Sequence, residues 1–93
     1  QDGLMTVVVT LSKETREIVA GPYIVSRGFV YVRESGVLMD EAKVVVIKAL
    51  EKCKDRKIRD WGKIKSAVRD ALRDFLWMKT RRNPMILPVL MEV

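Results

Sequence analysis

At Leu38 the spacing of apolar residues changes, and that change restricts the chain to a fold containing both sheet and helix. Before it, "LMTVVVTL" (Leu4 to Leu11) is rich in β-branched residues and almost continuously apolar. Such a run suits a strand covered on both faces or central in a small sheet. After it, Leu38, Ala42, Val45, Val46, Ala49, Leu50 and Cys53 recur at three- and four-residue steps, which sets them on one stripe of a helix. This helix is predicted to start near Asp40 and end near Lys54. Asp40 and Glu41 would then occupy its first turn and Lys52 and Lys54 its last, matching the helix dipole. Val44 and Ile47 form a second apolar strip, more than a small domain needs for its own core, and so predict contact with another subunit.

Around these two segments the remaining elements can be placed. "SKET" (Ser12 to Thr15) is turn-like and "REIVAG" resumes strand character, so a hairpin is expected. Gly21-Pro22 is expected to interrupt it. "YIVSRGFVYV" again has strand composition, with Gly28 marking a bulge, a bend or a close backbone approach. A second helix runs through "RDWGKIKSAVRDALRDFLWMKTRR", with Asp60 as N-cap and Trp61, Ile64, Val68, Ala71, Leu72, Phe75 and Leu76 as its buried stripe. Asn83-Pro84 is expected to stop it. "PMILPVLMEV" is a last strand whose Pro88 cannot donate to a ladder, which predicts a sheet edge or a bulge. The order is strand, strand, irregular strand, helix, helix, strand. It predicts an α+β domain in which a small three-stranded β-sheet packs against two α-helices. With 93 residues the chain is one domain, able to bury roughly 60 to 65 per cent of its unfolded surface. The opening "QDG", with Gln in place of Met, reads as a fragment cut from a longer chain.

The residue types exclude much chemistry. There is no histidine and a single cysteine, so neither a Ser-His-Asp nor a Cys-His site can form within the chain, nor the usual zinc set. No catalytic or metal-ligating residue is therefore expected. Asp40, Glu41, Asp55, Asp60, Asp70 and Asp74 lie at helix ends or between Lys and Arg, as solvated acids do. Cys53 falls on the apolar stripe and reads as a buried thiol in a reducing compartment. No apolar run reaches the roughly 18 to 20 residues of a membrane span, and no signal peptide is evident. A cytoplasmic protein without a membrane partner is expected.

Charge is uneven. From Lys52 to Arg82 there are twelve Lys and Arg against four Asp, whereas the rest of the chain has six basic and eight acidic residues. The second helix carries Lys63, Lys65, Arg69 and Arg73, and "KTRR" adds Lys79, Arg81 and Arg82. These seven are candidate contacts to an RNA backbone, where each neutralised phosphate adds a salt-dependent increment. A solvated helix surface is the alternative. Aromatic platforms are scarce, since only Trp77 lies off the buried stripe.

The segments "GPYIVSRGFVYVRES" and "FLWMKTRRNPMILPVLMEV", in that order around two helices, resemble the C-terminal domain of ribonuclease J, the bacterial metallo-β-lactamase and β-CASP ribonuclease. The likeness covers essentially the whole chain. It implies a parent enzyme that is a zinc-dependent ribonuclease, exonucleolytic from the 5′ end and endonucleolytic, acting in messenger RNA decay and ribosomal RNA maturation in the cytoplasm. Its zinc ligands would lie in histidine motifs of an N-terminal catalytic part, so this domain would hold no cofactor. The resemblance implies a linker-attached domain that supports oligomer assembly, homomeric or heteromeric, with ribonuclease J subunits, and that meets RNA through the parent. Candidate interface residues are Val44, Ile47, Met85, Ile86, Leu87, Val89 and Leu90. The signature "SRGFVYVRES" gives Ser26, Arg27, Gly28, Phe29, Arg33 and Glu34 a structural role. Gly28 would permit a tight passage, and Phe29 and Tyr31, or Val30 and Val32, would face the core. Arg27, Arg33 and Glu34 would fix the strand-to-helix connection by hydrogen bonds. Direct RNA contact by Arg27 and Arg33 is the other reading.

Overall fold

A computed structural model describes residues 2–29 and 35–93, the Ser35 side chain excepted. The elements run β1 (Leu4–Leu11), β2 (Ile18–Arg27), α1 (Ser35–Asp55), α2 (Trp61–Thr80) and β3 (Met85–Glu92). They form the expected α+β domain: one three-stranded sheet and two helices. The sheet order is β2-β1-β3, with β2 antiparallel and β3 parallel to β1. β1 is thus central. Met5, Val7, Val9 and Leu11 alternate onto its buried face, where Leu38, Ala42, Val46, Leu50 and Cys53 of α1 meet them. Ile64, Val68, Leu72 and Leu76 of α2 complete that core. Both helices cover one face of the sheet, and the other face is left open.

Three expectations are corrected. β2 is one strand that runs through Gly21-Pro22 instead of stopping there. Its register against β1 shifts between Val8 and Thr10 and again between Thr10 and Leu11, so the irregular residues are taken up as bulges. β2 is an edge strand, so Pro22 costs the sheet little for its missing donor. α1 begins at Ser35, five residues before the expected start, and has no acid in its first turn. Gly36 is a poor helix former, yet burying Leu38 on the core side requires helical backbone around it. α2 ends at Thr80, before Asn83-Pro84. Arg81 adopts a left-handed conformation (φ 57°) and its N–H donates to the Trp77 carbonyl oxygen at 2.9 Å. Asp60 caps the other end as expected, its carboxylate accepting from the Lys63 N–H at 2.9 Å. β3 bonds β1 alone and pairs in unbroken register, so Pro88, opposite Val7, sits on an edge strand without a bulge.

Candidate functional site

Register determines which side chains share the open sheet face. Thr6 pairs with Val25 on one side and Leu87 on the other, Val8 with Tyr23 and Val89, and Leu4 with Arg27 and Met85. Thr10 opposite Met91 extends the row. A half-solvated sheet usually alternates apolar inside with polar outside. Here the outer face is also apolar: Tyr23 and Val25 are each 60% exposed, Met85 61% and Leu87 50%. Arg27 is the single charge among these eleven positions. The sequence signal for this face was the lack of alternation in "LMTVVVTL". Tyr23 and Val25 were missed because the register of β2 was not known.

Of the expected interface residues, Met85, Leu87 and Val89 lie on this face. Ile86 points the opposite way and is buried in the core, and Leu90 packs against that core. Period-two alternation divides the five β3 residues between two environments. Val44 is nearly half exposed and Ile47 half-buried on α1. α1 lies behind the sheet, so these two belong to a different side of the domain from Met85, Leu87 and Val89.

Four of the seven candidate RNA-contacting residues have an acidic neighbour. Arg69 and Arg73 both reach Asp70, at 3.4 and 3.3 Å, and Arg73 lies 3.8 Å from Asp74. Lys79 pairs with Glu41 of α1 at 3.7 Å, and Arg82 with Asp2 at 4.0 Å. The Arg81 guanidinium lies 5.4 Å from the centre of the Trp77 ring. Among the described residues, Lys63 and Lys65 have no ion pair.

At the turn end of the domain, Arg16 ties three segments together. Its Nη1 donates to Glu92 Oε2 at 3.1 Å and its Nη2 to the Arg59 carbonyl oxygen at 3.3 Å. The guanidinium also lies 5.7 Å from the centre of the ring of Trp61, which is half-buried and not in the core as its stripe position predicts. Nothing in the sequence marked Arg16, because its partners lie 43 and 76 positions away. Cys53 is buried, and that burial pushes its thiol up, with Arg56 pulling partly the other way. Among the described residues, no three His, Cys, Asp or Glu side chains gather in a metal-binding cluster. No helix among them is long and apolar enough to cross a membrane.

The signature segment is placed in part. Ser26 and Arg27 end β2 and are exposed, and among the described residues the Arg27 side chain makes no hydrogen bond. Phe29 packs against the core. Gly28 takes a left-handed conformation and its backbone lies against Gly3. Val30, Tyr31, Val32, Arg33 and Glu34 fall outside the described residues.

Together, the fold and its surfaces define a small α+β domain with a mostly apolar open sheet face and, among the described residues, no metal-binding cluster. The chain belongs to the ribonuclease J C-terminal domain family, whose model matches residues 1–93. It is 46% identical over its full length to ribonuclease J2 of Bacillus subtilis and 45% to ribonuclease J 2 of Staphylococcus saprophyticus. A third relative, from Staphylococcus epidermidis, is 46% identical. In each case the chain spans 17% of the relative's length.

Proposed function

We propose that this domain is the non-catalytic assembly module of a longer ribonuclease J, and that its open sheet face packs against the same face of a second copy. The supporting observation is the mostly apolar surface across all three strands, on which Arg27 is the single charge among the eleven described positions. Such a surface is self-complementary, as a twofold interface requires. Magnitudes set its strength. Three strands about 4.8 Å wide and eight residues rising about 3.3 Å each give a flat footprint of roughly 400 Å². A standard interface takes about 800 Å² of accessible surface per partner. The sheet face alone should therefore hold copies weakly, with further contacts elsewhere in the longer protein. In this reading bond cleavage, and the zinc it needs, belong to that other part. The setting is cytoplasmic messenger RNA decay and ribosomal RNA maturation.

Sedimentation of the 93-residue chain across a concentration series tests the assembly. Self-association is expected in the unmodified chain and should fall at least tenfold in the double variant Tyr23→Lys, Leu87→Lys. Both side chains are exposed, so the fold should be retained. Equal association in the two proteins would contradict this use of the face. The α2 cations as an RNA surface are the less favoured reading, because Asp70, Asp74, Glu41 and Asp2 already neutralise four of the seven.

A further inference from the structure

Apart from Lys63 and Lys65 in the first turns of α2, the unpaired cations among the described residues are densest at the end of α1 and in the connection after it. From Lys48 to Arg59 the chain carries Lys48, Lys52, Lys54, Arg56, Lys57 and Arg59 against two acids, Glu51 and Asp55. All six cations are exposed. Among the described residues only Lys54 has an ion-pair partner, Glu17 at 3.4 Å. Helix-dipole matching accounts for Lys52 and Lys54, which lie in the last turn of α1. It does not account for Lys48, further inside the helix, nor for Lys57 and Arg59 beyond its end, because the dipole's effect fades within a turn.

Backbone geometry holds the cluster in place. The helix closes with Lys57 in the left-handed region (φ 57°), its N–H donating to the Lys54 carbonyl oxygen at 3.0 Å. The Ile58 N–H donates to the Cys53 carbonyl oxygen at 2.9 Å, and the Ile58 side chain packs on the core. Two depressions flank Ile58. The first, about 330 Å³, has an apolar lining that includes Val45, Ala49, Ala67 and Ala71, and its basic residues are Lys48, Lys52 and Arg56. The second, about 350 Å³, includes Arg16, Lys54, Lys57 and Arg59 in its lining. Lys48 and Lys52 of α1 and Arg56, in the turn just past its end, follow one another at four-residue steps, and the Arg56 N–H still donates to the Lys52 carbonyl oxygen at 3.1 Å, so successive members stand about 6 Å apart. That is the order of spacing between successive phosphates of an extended strand.

We propose that the α1–α2 connection is a binding surface for single-stranded RNA. Lys48, Lys52 and Arg56 would hold consecutive phosphates, Lys57 would reach a further one, and the apolar depression would take an unstacked base. Cations beside an apolar recess fit a polymer that alternates phosphates with flat apolar rings. The choice of RNA over other polyanions rests on reading the chain as part of a ribonuclease. The site itself is independent of the sheet face.

The core is closed within the chain, so the 93-residue protein can be titrated directly with a fluorescent twelve-nucleotide oligouridylate at several salt concentrations. Binding should weaken as salt rises. The variant Lys52→Glu, Arg56→Glu, Lys57→Glu should lose at least tenfold affinity. The neutral variant Lys52→Gln, Arg56→Gln, Lys57→Gln should lose affinity and lower the log–log salt slope by about 2, from about 0.7 per phosphate contact on a single strand. The α2 variant Arg69→Glu, Arg73→Glu should bind within about threefold of the unmodified chain. The proposal is overturned by absence of binding at low salt, by an unchanged affinity in the neutral variant, or by an equal loss in the α2 variant. Displacement of the RNA by polyglutamate of equal charge would also overturn it, assigning the surface to an acidic protein. Sedimentation of the same variants should be unchanged, so loss of RNA binding and loss of assembly are read separately.

Discussion

Gly3 and Gly28 lie against each other where the start of β1 passes the end of β2. A Cβ on Gly3 would come within 2.4 to 2.5 Å of backbone atoms of Arg27, Gly28 and Phe29, and Gly3 itself has a φ of 96°. Backbone cannot move aside as a side chain can. Gly3→Ala should therefore destabilise the domain by about 2 kcal/mol or more, measured by denaturant unfolding, whereas a change below about 0.5 kcal/mol would contradict the close approach. The sequence pointed to Gly28, inside its signature, and passed over Gly3, whose importance depends on a partner 25 positions away. Cys53 yields a prediction in pH. Its thiol is held above the ordinary value by burial, so the unfolded chain releases that proton first as pH rises. The group costs no stability below the unfolded value of about 8.5, and stability then falls as pH climbs from there toward the folded value. Thermal unfolding between pH 7 and 10 should show a steeper alkaline loss in the unmodified chain than in Cys53→Ala. Parallel curves would rule this out.

At the scale of elements, the parts of the sequence that carried a local signal were readable. The apolar stripe of α2 and its cap at Asp60 needed only nearest turns of the same helix. Asp60→Ala should accordingly cost about 1 kcal/mol in thermal or denaturant unfolding, with Asp60→Ser close to the unmodified chain. An undiminished stability in the alanine variant would deny the cap its role. Pro88 gave the edge position of β3 for an equally local reason, the missing N–H. What depended on other elements was lost. Gly21-Pro22 looked like a break because a bulge is defined only against the neighbouring strand. The expected start of α1 falls late because Asp40 and Glu41 look like first-turn acids, whereas they lie in the second turn of a helix that begins at Ser35. Among the candidate contacts, the α2 cations stood out by density alone. The partners of Lys79 and Arg82, Glu41 and Asp2, come from distant parts of the chain, so that share of the pairing is not visible in the sequence. The α1–α2 connection was passed over for the same reason, since its cations stand out only when their lack of partners is known.

Across the whole molecule, the two layers divide the work. Helices cover one side of the sheet and close the core, while the other side keeps apolar residues that the core does not use. The basic connection lies where α1 joins α2, beside the β1–β2 turn that carries Arg16. A copy docked on the sheet face would leave that connection accessible, so assembly and RNA contact can proceed together. The parallel pairing of β3 with β1 has a further consequence for synthesis. It joins residues 81 positions apart, Leu4 with Met85 and onward, so the central strand, made first, gains its second neighbour only after both helices have been translated. A nascent chain lacking β3 leaves the hydrogen-bonding edge of β1 bare, and such edges recruit other strands. The sheet of this domain is thus protected from misassociation only once β3 has been made and has paired with β1, and not while β1 and β2 stand alone.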